Sequence, residues 1–144
     1  MKSSKININK EKLSTAYVLA EHWKSDLEFY NDELDFLTVL INKNFMYLID
    51  KKEYPHTKKI VVRLKESVDV CEELLQETAT YMANLRFLLA EEMKIMDFDQ
   101  QKDHVKLEAK IALLVRTCRS VKQEVFTLAK KVMEQEKMKR LIQA

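Results

Sequence analysis

From Leu13 the apolar positions run Leu13, Ala16, Ala20, Trp23, Leu27, Tyr30, Leu34, Leu37, Ile41, Asn44, Leu48, with the interval alternating strictly between three and four residues. That alternation is a heptad seam, the pattern of helices that pack side by side at a shallow angle. Tyr17, Phe36 and Leu40 flank the seam and widen the stripe, as a helix touching two neighbours requires. The spacing predicts a helix over residues 10–50, closed by Lys51-Lys52-Glu53-Tyr54-Pro55-His56, because proline disfavours helical geometry in the residue before it. Residues 1–9 are polar and basic and are expected to form a flexible lead-in.

A second seam follows: Val61, Leu64, Val68, Cys71, Leu75, Thr78, Met82, Leu85, Leu89, Glu92, Met96, with Ile60, Leu74, Tyr81, Leu88 and Ile95 beside it. It predicts a helix over 57–96, with Thr57 placed to cap its amino end. The pattern fails over Asp97 to Asp103, where a second turn is expected. Nothing there forbids a continuous helix, which would join the second and third segments into one long rod needing another chain to complete its core. The third seam, His104, Leu107, Ile111, Leu114, Cys118, Val121, Val125, Leu128, Val132, Gln135, Lys139, Ile142, predicts a helix over 103–142 whose last turns are exposed or frayed. Helices of this length, roughly 55 to 60 Å, joined by short connections give an all-α, single-domain, up-down-up antiparallel, coiled-coil-like bundle over residues 1–144, with dimerisation as a further way to complete the core.

Composition narrows function by subtraction. The chain of 144 residues has no glycine and one proline. Phosphate-cradling loops and dinucleotide fingerprints need glycine where the backbone approaches a phosphate, so those sites lack their material. The polar start and the absence of a long apolar run point to the cytoplasm. Cys71 and Cys118 fit apolar helical positions and are expected to be buried, reduced thiols. A second turn near residue 100 would set Cys118 opposite Met82, about 16 Å along the helix from Cys71, too far to bond.

Charge is uneven. Residues 10–50 hold four Lys against eight Asp and Glu, a net −4, whereas residues 102–144 hold eleven Lys and Arg against five acids, a net +6. In an up-down-up bundle the first and third helices run parallel and adjacent, so the two charges complement each other. The basic carboxyl-terminal run, Lys130, Lys131, Lys137, Lys139 and Arg140, is broken by Glu134 and Glu136. It reads as a solvated face before it reads as a surface for nucleic acid or an anionic membrane.

Chemistry-bearing spacings are sparse. Carboxylate bundles that bind two metals take Glu-x-x-His on two helices; here only Glu53 and His56 have that spacing, with Pro55 between them. A softer candidate metal or proton-transfer group is Glu11, Glu92, His104 and Glu108, which antiparallel register brings toward one end, set against the plainer reading of a polar bundle end. Asn44 and Thr78 interrupt apolar rows and are expected to fix register or to be partly exposed. His22, on the border of the first seam, has no second ligand one turn away. No serine sits in a spacing that suggests an activated nucleophile.

Residues 22–33, His-Trp-Lys-Ser-Asp-Leu-Glu-Phe-Tyr-Asn-Asp-Glu, form a W-x3-L-x-F-Y-x-D-E string. It resembles the opening helix of a group of uncharacterised bacterial helical-bundle proteins. The resemblance covers one helix and implies a bundle without an assigned activity, so no functional residue is carried over. The residues themselves put Trp23, Leu27 and Tyr30 in the seam and leave Asp26, Asp32 and Glu33 to face outward or to pair with the basic third helix. The functional expectation is a non-enzymatic protein–protein interaction or scaffold bundle, with no cofactor and no small-molecule substrate, whose partner is another protein or a second copy. The alternatives are a metal-binding bundle and an anionic-surface or nucleic-acid binder.

Overall fold

The computed structural model describes the backbone of residues 2–91 and 98–143, and side chains over 10–91 and 100–143. Three α-helices make up the fold: α1 (Lys2–Asn44), α2 (Thr57–Ala90) and α3 (Phe98–Gln143), and no strand occurs among the described residues. Ring contacts of Trp23 with both Tyr81 and His104 tie all three helices together at one end. The Cys71 thiol reaches the Leu27 carbonyl across α1 and α2. Arg63 bonds Glu124, and Lys110 bonds Glu77, across α2 and α3. Residue numbers fall along one helix as they rise along the other in both sets, so α1 and α2 are antiparallel, as are α2 and α3, and the expected up-down-up bundle is the fold.

The core is one cluster running the length of the bundle, from Leu13 and Ala16 through Trp23, Leu27, Leu34 and Ile41 on α1 to Leu107, Ile111, Cys118, Val125 and Val132 on α3. The α3 seam is buried from Leu107 through Val132, and Lys139 and Ile142 are exposed, as expected. On α2 the expected seam residues Leu64, Cys71, Thr78, Met82 and Leu85 are buried, but the positions that alternate with them are Ile60, Ser67, Leu74, Tyr81 and Leu88, one residue before the expected Val61, Val68, Leu75 and Leu89. Those four sit at the half-buried edge of the row. Ser67 disguises this row. Its hydroxyl donates to the Arg63 carbonyl at 2.8 Å, which satisfies it inside the core.

Several expected boundaries move. Regular α1 ends at Asn44 and tightens into a 3-10 turn over Met46–Leu48, short of Asp50. Helix geometry starts at Lys2, ahead of the expected start at residue 10, since neither glycine nor proline stands there to stop it. The first reversal is held by Phe45, Leu48 and Tyr54, all buried, and by successive backbone bonds from Leu48 N–H to Phe45 O and from Tyr54 N–H to Lys51 O. Thr57 does not cap α2. His56 occupies that position without a side-chain bond, and the Thr57 hydroxyl is buried without a partner.

The second reversal falls between Ala90 and Phe98, and residues 98–103, expected as a turn, belong to α3. The long-rod alternative is excluded because α2 and α3 pack against each other. Moving the centre of an antiparallel reversal by one residue shifts the register by two, so the expected pairing of Cys118 with Met82 is wrong. Arg63 lies against Glu124 and Glu77 against Lys110, which brings Cys71, midway along that stretch, level with Cys118. Both thiols are free and buried.

Candidate functional site

Polar chemistry concentrates at the end of the bundle where α1 and α3 begin and α2 ends. Tyr81 and His104 face each other because both belong to the inward rows of antiparallel helices, and Trp23 on α1 closes the third side. Tyr81 Oη lies 2.6 Å from His104 Nδ1, and the Trp23 and His104 rings are 4.9 Å apart. Burial and the nearby Asp103 carboxylate push the Tyr81 phenol up to about 12, so it stays protonated. The other ring nitrogen, Nε2, faces Glu108 Oε2 at 3.8 Å. That separation is too long for a hydrogen bond.

The four candidate ligands converge only in part. Glu11 and His104 line one shallow groove between residues 11–19 of α1 and the start of α3, with Lys12, Thr15, Ala16 and Val105. Glu108 reaches the imidazole's outer edge, and Glu92 lies outside the described residues. No three His, Cys, Asp or Glu side chains among the described residues stand close enough to hold a metal ion. Tyr81 already occupies Nδ1 of the central histidine, so the arrangement is a hydrogen-bonded pair packed on an indole. Sequence reasoning missed Tyr81 because the misplaced second turn took it out of His104's reach.

The remaining candidates separate cleanly. His22 is exposed. Asn44 is exposed and donates to the Leu40 carbonyl at 3.2 Å within its own helix, so it does not fix register from inside the core. Thr78 is fully buried with its hydroxyl unpartnered. Glu53 keeps its side chain in solvent, and its carbonyl accepts from Lys131 at 3.1 Å. Burial raises the Cys71 thiol to about 11, helped by Glu72 and Asp35, and raises Cys118 to about 12, with Cys71 and Glu33 adding to the effect. Neither is a nucleophile at neutral pH.

A second feature is the seam between α2 and α3, which is grooved along its length. One groove of about 600 Å³ runs from Tyr54 and Pro55 to Arg63 and Glu124. Another continues from Arg63 past Val70 and Leu113, and a third follows from Glu73 to Asp103. Its charges pair across the seam: Arg63 with Glu124, and Lys110 with Glu77 at 3.2 Å. Tyr54 closes one end, donating to Gln135 and lying under the Lys131 ammonium.

The third feature is the outer surface of α1 and α3. Phe36, expected to meet a second neighbouring helix, is instead exposed, as are Val18, Phe29 and Val39 on α1 and Phe126 and Met133 on α3. Comparison with known protein families, with curated proteins and with solved structures finds no match to this chain.

Proposed function

We propose that this bundle is a non-enzymatic protein–protein interaction module that works in the cytoplasm and presents a helical face to another polypeptide. The observation that carries this reading is the apolar surface left on α1 and α3 after the core is complete. Phe29, Phe36 and Phe126 are all exposed. Monomeric surfaces tolerate scattered apolar side chains, but aromatic clusters on regular helices are characteristic of docking faces. At the polar end the His104 ring is hydrogen-bonded to Tyr81, and midway along the bundle burial keeps both thiols protonated at neutral pH, so the exposed apolar face is the stronger support for this reading.

The test is affinity capture of the tagged chain from its native cell, run beside a Phe29→Lys/Phe36→Lys variant whose helicity matches. A polypeptide retained in near-stoichiometric yield by the unaltered chain and lost by the variant is the expected result, whether it is another protein or an untagged copy. Recovery of neither would end the interaction reading.

A further inference from the structure

Building on that interaction reading, we propose that the partner on this face is a second copy of the chain, related by a two-fold axis parallel to the bundle, so that α1 of each copy lies along α3 of the other.

The patch is organised around one ion pair. Lys122 on α3 bonds Glu33 on α1 at 2.6 Å, and its ammonium lies 5.8 Å from the centre of the Phe126 ring. Glu33 sits one turn after Phe29 and one turn before Phe36, and Lys122 sits one turn before Phe126. Since α1 and α3 are parallel, Phe36 and Phe126 lie at the same height on either side of the α1–α3 seam, one turn beyond the pair. Phe29 is 63% exposed, Phe36 60% and Phe126 46%.

Charge borders the patch with opposite sign on its two sides. On the flank of α1 away from α3, Glu21, Glu28 and Asp32 are exposed with Lys24 among them, while Asp35 on the same helix stands near Cys71 of α2. On the outer flank of α3 stand Arg116, Arg119, Lys130 and Lys137, also exposed, with Glu134 the one acid among them. Across the face the order is therefore acidic, aromatic, basic.

Such a face admits two two-fold arrangements, and charge chooses between them. An axis across the helices lays α1 antiparallel on α1, acid against acid. An axis along them lays α1 on α3 of the other copy at unchanged height. The Glu33–Lys122 pair then brings Glu28 and Asp32 level with the other copy's Arg116 and Arg119, and Phe36 level with its Phe126. Every contact occurs twice, as an isologous interface requires. The face from Val18 to Val39 and its α3 counterpart measures about 30 Å by 20 Å. Burying it on both copies removes roughly 1,200 Å² in total, the lower bound for a stable specific interface. The α2–α3 groove is a weaker seat for a copy because its charges already pair within the chain.

Sedimentation velocity of the full chain, from low micromolar to several hundred micromolar, tests this, with far-ultraviolet circular dichroism confirming that each variant is folded. The expected result is a monomer–dimer equilibrium. Phe36→Lys and Phe126→Lys should each weaken it about tenfold or more, and Leu113→Lys in the α2–α3 groove should leave it unchanged. Arg119→Glu should weaken it, and adding Glu28→Arg to the same chain should restore it. A chain that stays monomeric throughout, a dimer indifferent to both Phe variants, or a dimer strengthened by Glu28→Arg alone would overturn the proposal. A monomer that still captures a different protein through Phe29 and Phe36 removes only the self-association. A monomer that captures nothing removes the interaction reading as well.

Discussion

Tyr81 and His104 form a part-buried hydrogen-bonded pair, so removing the phenol hydroxyl deprives His104 Nδ1 of that partner. Tyr81→Phe keeps the ring packed on Trp23 and deletes only the hydroxyl; it should cost about 1 kcal/mol in urea denaturation. The two thiols give a pH signature. Their folded values, about 11 for Cys71 and about 12 for Cys118, lie above the ordinary 9.0. Below pH 9 the thiols are protonated in both states and stability does not depend on them. Above it the unfolded chain loses these protons first, so stability falls as pH rises, by up to about 1.4 kcal/mol per pH unit for each group. The fall ends once the folded thiols ionise, near pH 11 to 12. Thermal melts from pH 8 to 11 should show it, and a Cys71→Ala/Cys118→Ala chain should show a shallower decline. Burial of both cysteines was legible in their spacing. Their juxtaposition was not, because it depends on register.

At the scale of elements, two neighbours on α1 separate core from surface. Leu34 is fully buried and Phe36, two residues on, is exposed. Leu34→Ala should cost about 2 to 5 kcal/mol, whereas Phe36→Ala should change monomer stability by no more than about 0.5 kcal/mol. Chemical denaturation at low protein concentration reads both. The α2–α3 register is tested by an Arg63→Ala/Glu124→Ala double-mutant cycle, in which a half-exposed pair should couple by about 0.5 to 1 kcal/mol. Helix identity was readable from the sequence on all three elements, since an interval alternating between three and four fits no other structure. On α2 the positions Leu64, Cys71, Thr78 and Leu85 were readable, and the residues that alternate with them were not. Either neighbouring set carries the spacing, and only packing against α1 and α3 selects the one containing Ser67 and Tyr81.

As a whole molecule, the bundle is a rod. The 46 residues of α3 span about 69 Å at 1.5 Å per residue. Because Gln135 already lies level with Tyr54 at the first reversal, the last turns of α3 run past it, carrying Met138, Leu141 and Ile142 exposed beside Lys137, Lys139 and Arg140. Small-angle X-ray scattering on the proposed dimer should therefore give a maximum dimension close to the monomer's and a doubled cross-section. An end-to-end assembly would nearly double the length instead.

The sequence by itself determined the all-α class, the first reversal and the α1 and α3 core rows, because each follows from local periodicity and from the lone proline at the first turn; it left open whether a second reversal divides the rest of the chain into two helices. The tertiary structure decided the second reversal, and with it every α2–α3 pairing. No residue between Ala90 and Phe98 is a strong breaker, and an error of a few residues in its centre displaces partners by several helical positions. It also decided which apolar flanks are left over. Of the flanks that widen the α1 seam, Tyr17 and Leu40 pack half-buried against the core, whereas Phe36 stays in solvent once three helices have closed it, and that leftover surface is where the proposed partner binds.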